Sequence, residues 1–233
     1  MVAEMENDLR RLRPLTNSFD LVRGACSLVS DAVCREVQRF TQDSKLKAER
    51  LQGSSIVDVF EGVQAFANIP LTYFILPTRS EWSVLWYDCY LFNGYDSLCW
   101  NLTTSHQLET IHLQSSDFDS TMLRGNSFTH RISHDAKLAE RSVYCSIADN
   151  GRWRFEEQGT ALTAEDTSNY AAKRIADRLN ETSLEGLLKR LGASPWSSEY
   201  YALGDERGYF IRRHSCPTTV TLKKRTEISP EKA

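Results

Sequence analysis

The sequence predicts an α+β fold, with N-terminal helices packed on a mostly antiparallel sheet and two further helices before C-terminal strands. Three observations carry this. Helical spacing dominates residues 1–68, and strand-like runs joined by turn residues dominate 69–160. Helices and strands also come in blocks, without the βαβ alternation that builds a parallel sheet. The 233 residues are enough for one substantial core, and no repeat or long linker divides them. We read a single domain over 1–233: a helical part (1–68), a mainly β part (69–160), a helical pair (163–192) and short strands (199–224). ASPWSS at 193–198 is the best boundary candidate.

The first element is a predicted helix from about Ser18 to Leu51. Leu21, Val22, Ala25, Val29, Val33, Val37 and Phe40 follow helical spacing, and Gly53 marks a stop. Ser55 followed by Asp58 resembles a capping box for a second helix, with Ile56, Val59, Phe60, Val63 and Phe66 on one face. That helix ends before Pro70.

LTYFIL (71–76) and WSVLWY (82–87) read as a hairpin around the 77–80 turn. Both runs are apolar almost throughout, so this part of the sheet is expected to be covered on both faces. Asn93-Gly94 marks a turn, and 96–102 suits either a short helix or a strand. Residues 108–113 and 126–132 read as strands, with Asp117, Asp119 and Gly125 in the loop between them.

SVYCSIAD (142–149), Asn150-Gly151 and RWRFEE (152–157) form the clearest hairpin, because Asn-Gly supplies the left-handed pair of a type I′ turn. Thr163 and Asp166 then suggest a cap for a helix reaching about Asn180, with Tyr170, Ile175 and Leu179 inward. Thr182 and Glu185 form a capping box for another helix ending at Gly192. Residues 199–203, 208–213 and 218–224 read as short strands.

The net charge of −3 argues against general nucleic-acid binding, which rests on a surplus of Lys and Arg. The first 19 residues lack the apolar core of a signal peptide, and no run approaches the ~18–20 apolar residues that span a bilayer. A cytosolic protein is expected. Cys26, Cys34, Cys89, Cys99, Cys145 and Cys216 are dispersed, so free thiols are expected.

One stretch carries a family resemblance. Asp149, Gly151, Arg152, Trp153, Phe155, Gly159, Tyr170, Arg174, Ile175, Asp177, Arg178 and Gly192 match a D-x-G-R-W-x-F hairpin followed by a Y-x-x-R-R-I-x-D-R segment. In this, residues 148–192 resemble a family of bacterial proteins with no assigned activity. Lys173 stands where that family has its first helix Arg. The resemblance implies a bacterial source and a shared fold, and it implies no reaction.

No catalytic signature stands out. G-x-S-x-G, the P-loop, G-x-G-x-x-G, HExxH and CxxC are all absent from the sequence. His130 and His134 are four apart but fall on a strand-to-loop stretch, and His214 and Cys216 have no second ligand pair. No cofactor or metal is expected. Asp117 and Asp119, which alternate in a loop, and the adjacent Glu156 and Glu157 are acid pairs of the everyday surface kind. Cys145, on a strand, suits an inert buried thiol.

The unusual feature is aromatic. Trp82, Trp86, Tyr87, Tyr90, Phe92, Tyr95 and Trp100 crowd residues 82–100. Such residues dominate both cores and interfaces, so the cluster suits either a core beneath the first helices or a partner site. The partner-binding candidates are Trp82, Trp86, Tyr87, Tyr90, Tyr95 and Trp100, joined by Arg152 and Arg154 beside the later helix. The expected function is a non-catalytic protein-binding module, of the immunity or antitoxin kind that occludes a toxin. The alternatives are a hydrolase or transferase whose site gathers Asp88, His112 or Cys145 from a distance, and a small-ligand or nucleic-acid binder.

Overall fold

The computed structural model describes residues 8–12, 15–42, 46–51, 55–64, 72–87, 96–116, 125–134, 137–147, 151–203 and 208–212. Its centre is a nine-stranded antiparallel open sheet: β1 (Ser18–Arg23), β2 (Lys47–Arg50), β3 (Thr72–Pro77), β4 (Trp82–Tyr87), β5 (Thr110–Ser116), β6 (Gly125–His134), β7 (Lys137–Ile147), β8 (Trp153–Gln158) and β9 (Tyr209–Arg212). The strand order is β2-β9-β3-β4-β1-β5-β6-β7-β8. Among the described residues four helices are interspersed: α1 (Cys26–Thr41), α2 (Ile56–Gln64), α3 (Asp96–His106) and α4 (Glu181–Arg190). The fold is therefore α+β, as the block order implies.

Alternation along the strands splits the core between two faces. On the first face Phe19, Leu21, Phe74, Leu76, Trp82, Val84, Trp86, Ile111, Leu113, Phe128 and Val143 pack with Ile56, Val59 and Phe60 of α2 and Leu184, Leu187 and Leu188 of α4. On the second face Val22, Tyr73, Ile75, Leu85 and Tyr87 pack with Val29, Val33 and Val37 of α1 and Leu98 and Leu102 of α3. Every residue of β3 and β4 is buried, as two-sided coverage requires.

Several sequence expectations need correction. The span 18–51 is not one helix. Its first six residues are β1, which pairs with both β4 and β5 in the middle of the sheet. Leu21 and Val22 therefore face opposite cores. Gly24, at φ +142, turns the chain into α1, and the polar end of the span contributes β2 at the sheet edge. Phe40 is 57% exposed, so the apolar stripe of α1 stops at Val37.

The expected helix over 163–180 is also absent. Short polar side chains compete here for the backbone. The Ser168 N–H donates to Asp166 Oδ1. The Tyr170 and Ala172 N–H groups donate to the Thr167 and Asn169 carbonyls, and a single 3₁₀ turn follows at Ile175–Asp177. The inward residues are nevertheless those expected: Tyr170 and Ile175 lie against the core and Leu179 is buried. One α-helix, not two, thus lies between β8 and β9.

The cap of α4 is Asn180, not Thr182: Asn180 Oδ1 accepts the Ser183 N–H at 2.9 Å. Glu185, expected to close the box, pairs instead with Arg10 and Lys189. Asn180→Ala is expected to cost about 1 kcal/mol and lower the thermal midpoint by about 2–4 °C, read by calorimetry. At α2 the expected cap is present, with the Asp58 N–H donating to Ser55 Oγ at 3.1 Å.

Residues 199–203 form a 3₁₀ turn (Ser198–Tyr200) and a single bridge from Tyr201 to Thr78, not a strand. The Tyr201 hydroxyl donates to the Pro195 carbonyl at 2.8 Å, tying this turn to its own start. The segment from 208 does become a strand, β9, inserted between β2 and β3. The expected strand at 218–224 and the Asn93-Gly94 turn lie outside the described residues. No described helix is long and apolar enough to cross a membrane.

Candidate functional site

The sheet reaches beyond its helices on the second face. Register places residues there in rows running from β1 to β8. One row is Asp20, His112, Thr129, Ser142 and Gln158, and the next is Ser18, Gln114, Ser127, Tyr144 and Glu156. Among the described residues the main contacts of α3 with the sheet are to β5 and β6, and the row residues Ser127, Thr129 and Ser142 are buried.

The row is deeply hydrogen-bonded at its inner end. Asp20 is fully buried, and its Oδ1 lies 2.6 Å from His112 Nδ1. Nearby, burial pushes the Tyr87 phenol well above its ordinary value, and the negative charge of Asp20 adds to that. Farther out, Thr129 Oγ1 lies 3.1 Å from the Tyr144 hydroxyl, and Ser142 Oγ donates to Thr129 at 3.2 Å.

The outer end is exposed. Tyr144 is 42% exposed, and Arg154, Glu156 and Gln158 stand in solvent on β8. Trp100 of α3 is 45% exposed, with the Arg131 guanidinium 5.7 Å from its ring centre. Arg131 is buried and paired to Glu140 at 2.5 Å, so the Trp100 ring rests on a fixed cation. Trp100, Tyr144 and Arg154 therefore share one face, and Arg152 lies exposed just before β8.

The remaining sequence candidates separate. Trp82 and Trp86 are each 1% exposed in the first-face core. Trp82 donates from Nε1 to the Leu191 carbonyl, and the Trp86 ring meets Phe60 and Phe74 at 5.5 and 5.4 Å. Tyr87 is buried on the second face. Pairing of β4 with both β1 and β3 buries all three, so none presents a surface. Tyr90 and Tyr95 lie outside the described residues, as do Asp88, His214, Cys216 and the Asp117/Asp119 pair. Tyr144 was missed, since it sits in a strand read only as half of a hairpin. Its place in the alternation, opposite to Val143 and Cys145, is the signal that finds it.

Other charged and sulfur groups are structural. On the first face Arg141, 3% exposed, donates from Nη2 to Glu165 at 2.5 Å and to Glu157 at 2.6 Å, and from Nη1 to the Gly159 carbonyl. The Leu162 N–H and the Tyr170 hydroxyl donate to the same Glu165 carboxylate. This closed network stands where sequence suggested a helix cap, and it ties the 160–170 turns to the sheet. Cys26, Cys34, Cys99 and Cys145 are free thiols. Cys145 bonds the Ile175 carbonyl, and burial pushes its thiol up, away from the reactive thiolate. Among the described residues no three His, Cys, Asp or Glu side chains gather as metal ligands.

No family model, curated protein or solved structure matches this chain.

Proposed function

We propose that this protein is a protein-binding module, with the outer second face of the sheet as its contact surface. The carrying observation is that Trp100, on α3, and Tyr144 and Arg154, on β7 and β8, stand exposed on the same side of the sheet. Trp, Tyr and Arg are the side chains that most often carry binding energy at interfaces, because each gives large contact area and a polar tip. The surface rests on strands, so its residues are held before contact and little entropy is lost on binding. Glu140 and Glu156 on the same face favour a partner with basic groups at its rim. An immunity or antitoxin protein that covers a toxin has this chemistry, and the bacterial resemblance of residues 148–192 supports that form of the proposal.

The test compares the wild type with a Trp100→Ala/Tyr144→Ala variant in affinity capture from the source bacterium. One stoichiometric partner is expected with the wild type. Each truncation is expected to weaken its binding about tenfold or more, with thermal midpoints unchanged. A partner held equally by both proteins, or none held by the wild type, overturns the proposal.

A second reading rests on the Asp20–His112 pair. A buried carboxylate 2.6 Å from Nδ1 holds the imidazole in one orientation, as a proton-transferring His in a hydrolase or transferase requires. Turnover of any ester, amide or phosphoryl substrate that disappears in His112→Asn, with folding intact, favours this reading over the first.

A further inference from the structure

We propose that β8 pairs antiparallel with β8 of a second copy of this chain, about a two-fold axis at Phe155. The inference goes beyond the partner surface proposed above, with which it shares Arg154 and Glu156, and it rests on the strand edge and not on that surface.

Among the described residues the sheet ends at β8. β8 pairs with β7 without a break from Ile147–Trp153 to Ser142–Gln158, so its outer edge is straight. It contains no proline. Among the described residues, the backbone of Trp153–Glu157 bonds nothing but β7. Open edges of this kind are usually blunted by charge, and β8 does carry charge. The order of the signs is what distinguishes it.

Residues 152–158 read Arg, Trp, Arg, Phe, Glu, Glu, Gln. An antiparallel two-fold pair keeps each face of the sheet on one side, so opposed residues must share a face. Centring on Phe155 sets Arg154 opposite Glu156 of the second copy, and the symmetry repeats that pair. Moving the centre to residue 154 opposes Arg154 to itself, and moving it to 156 opposes Glu156 to itself. Centring on Arg154 also opposes Arg152 to Glu156, but it keeps the Arg154–Arg154 pair, whereas the Phe155 register forms its two opposite-sign pairs with no like charges opposed, so the sequence favours that pairing over its neighbours. Arg154 and Glu156 are both exposed, and among the described residues neither has an ion-pair partner. The half-buried Phe155 ring, held by Tyr170 at 4.9 Å, meets its own copy at the axis.

The axis stands perpendicular to the sheet. Two nine-stranded sheets then become one continuous sheet, with Trp100 and Tyr144 of both copies on the same side.

Sedimentation velocity over a concentration series tests this with the full chain. The wild type is expected to dimerise reversibly, less strongly at high salt. Arg154→Glu or Glu156→Arg alone creates two like-charge pairs and is expected to weaken the dimer about tenfold or more. The double variant R154E/E156R restores opposite charges and is expected to recover the wild-type constant. Both positions are exposed, so circular dichroism and the thermal midpoint are expected to stay unchanged, which excludes misfolding. A wild type that stays monomeric, single variants that dimerise normally, or a double variant that fails to recover each overturn the proposal.

Discussion

Replacing Arg141 with Ala is expected to destabilise the protein by about 3–5 kcal/mol, lowering the thermal midpoint by roughly 6–20 °C. The side chain is 3% exposed and Glu165 is 2% exposed. Truncating Arg141 leaves the Glu165 charge buried without its counter-charge, and that penalty is the larger part of the loss. The turn at 160–170 should loosen with it, because Glu165 also gathers the Leu162 N–H and the Tyr170 hydroxyl. Loss of near-ultraviolet signal from Tyr170, alongside urea unfolding, would show this. An Arg141→Ala protein within about 1 kcal/mol of wild type would mean that the network is not a tie at all.

The same network sets a pH dependence. Burial pulls the Glu165 carboxyl upward, but bonds from Arg141, Leu162 and Tyr170 outweigh it and hold the group below its ordinary value. In the folded state the carboxylate is thus favoured, so its contribution is complete above the ordinary carboxylate range. It is lost as pH falls through the lowered folded value. Burial and the bond to Glu165 push the Tyr170 phenol the other way, well up. Wild type is expected to lose stability on acidification more steeply than Glu165→Gln, as acid titration of urea midpoints will read.

Trp86→Ala is expected to cost about 3–5 kcal/mol, since a 1%-exposed indole between Phe60 and Phe74 leaves a cavity its neighbours cannot fill. Trp86→Phe, which keeps much of the volume, should cost less. Trp100→Ala, at an exposed site, should change stability by less than about 0.5 kcal/mol. Urea unfolding of the three variants separates core from surface within one aromatic run. Equal losses at Trp86 and Trp100 would contradict the burial described.

That run shows what sequence leaves open. Trp82, Trp86 and Trp100 are alike in composition and lie close together in the chain, yet two are core and one is surface. The difference comes from pairing: β4 lies between β3 and β1, whereas Trp100 lies on a helix over the sheet's margin. The hairpins 71–87 and 142–158 were legible because alternation and turn residues are local signals. The strand at 18–23 was not. Leu21, Val22 and Ala25 fit helical spacing, and only the long-range partners Val84 and Ile111 make the segment a strand. Likewise the turns at 163–178 carry a helical apolar pattern that the buried Glu165 overrides.

By itself the sequence determined the class of the fold, the hairpins 71–87 and 142–158, the inward residues Ile56, Val59, Phe60, Tyr170, Ile175 and Leu179, and the sign pattern along β8. These follow from side-chain size, alternation and turn chemistry, which act over a few residues. Tertiary structure alone decided that β1 joins the middle of the sheet, that β9 inserts beside β3, and that Asp20 meets His112 across 92 positions of chain. It also decided that Trp100, Tyr144 and Arg154 share an open face. Such meetings depend on strand order and on where helical cover ends, and residues distant in the chain carry no local mark of either.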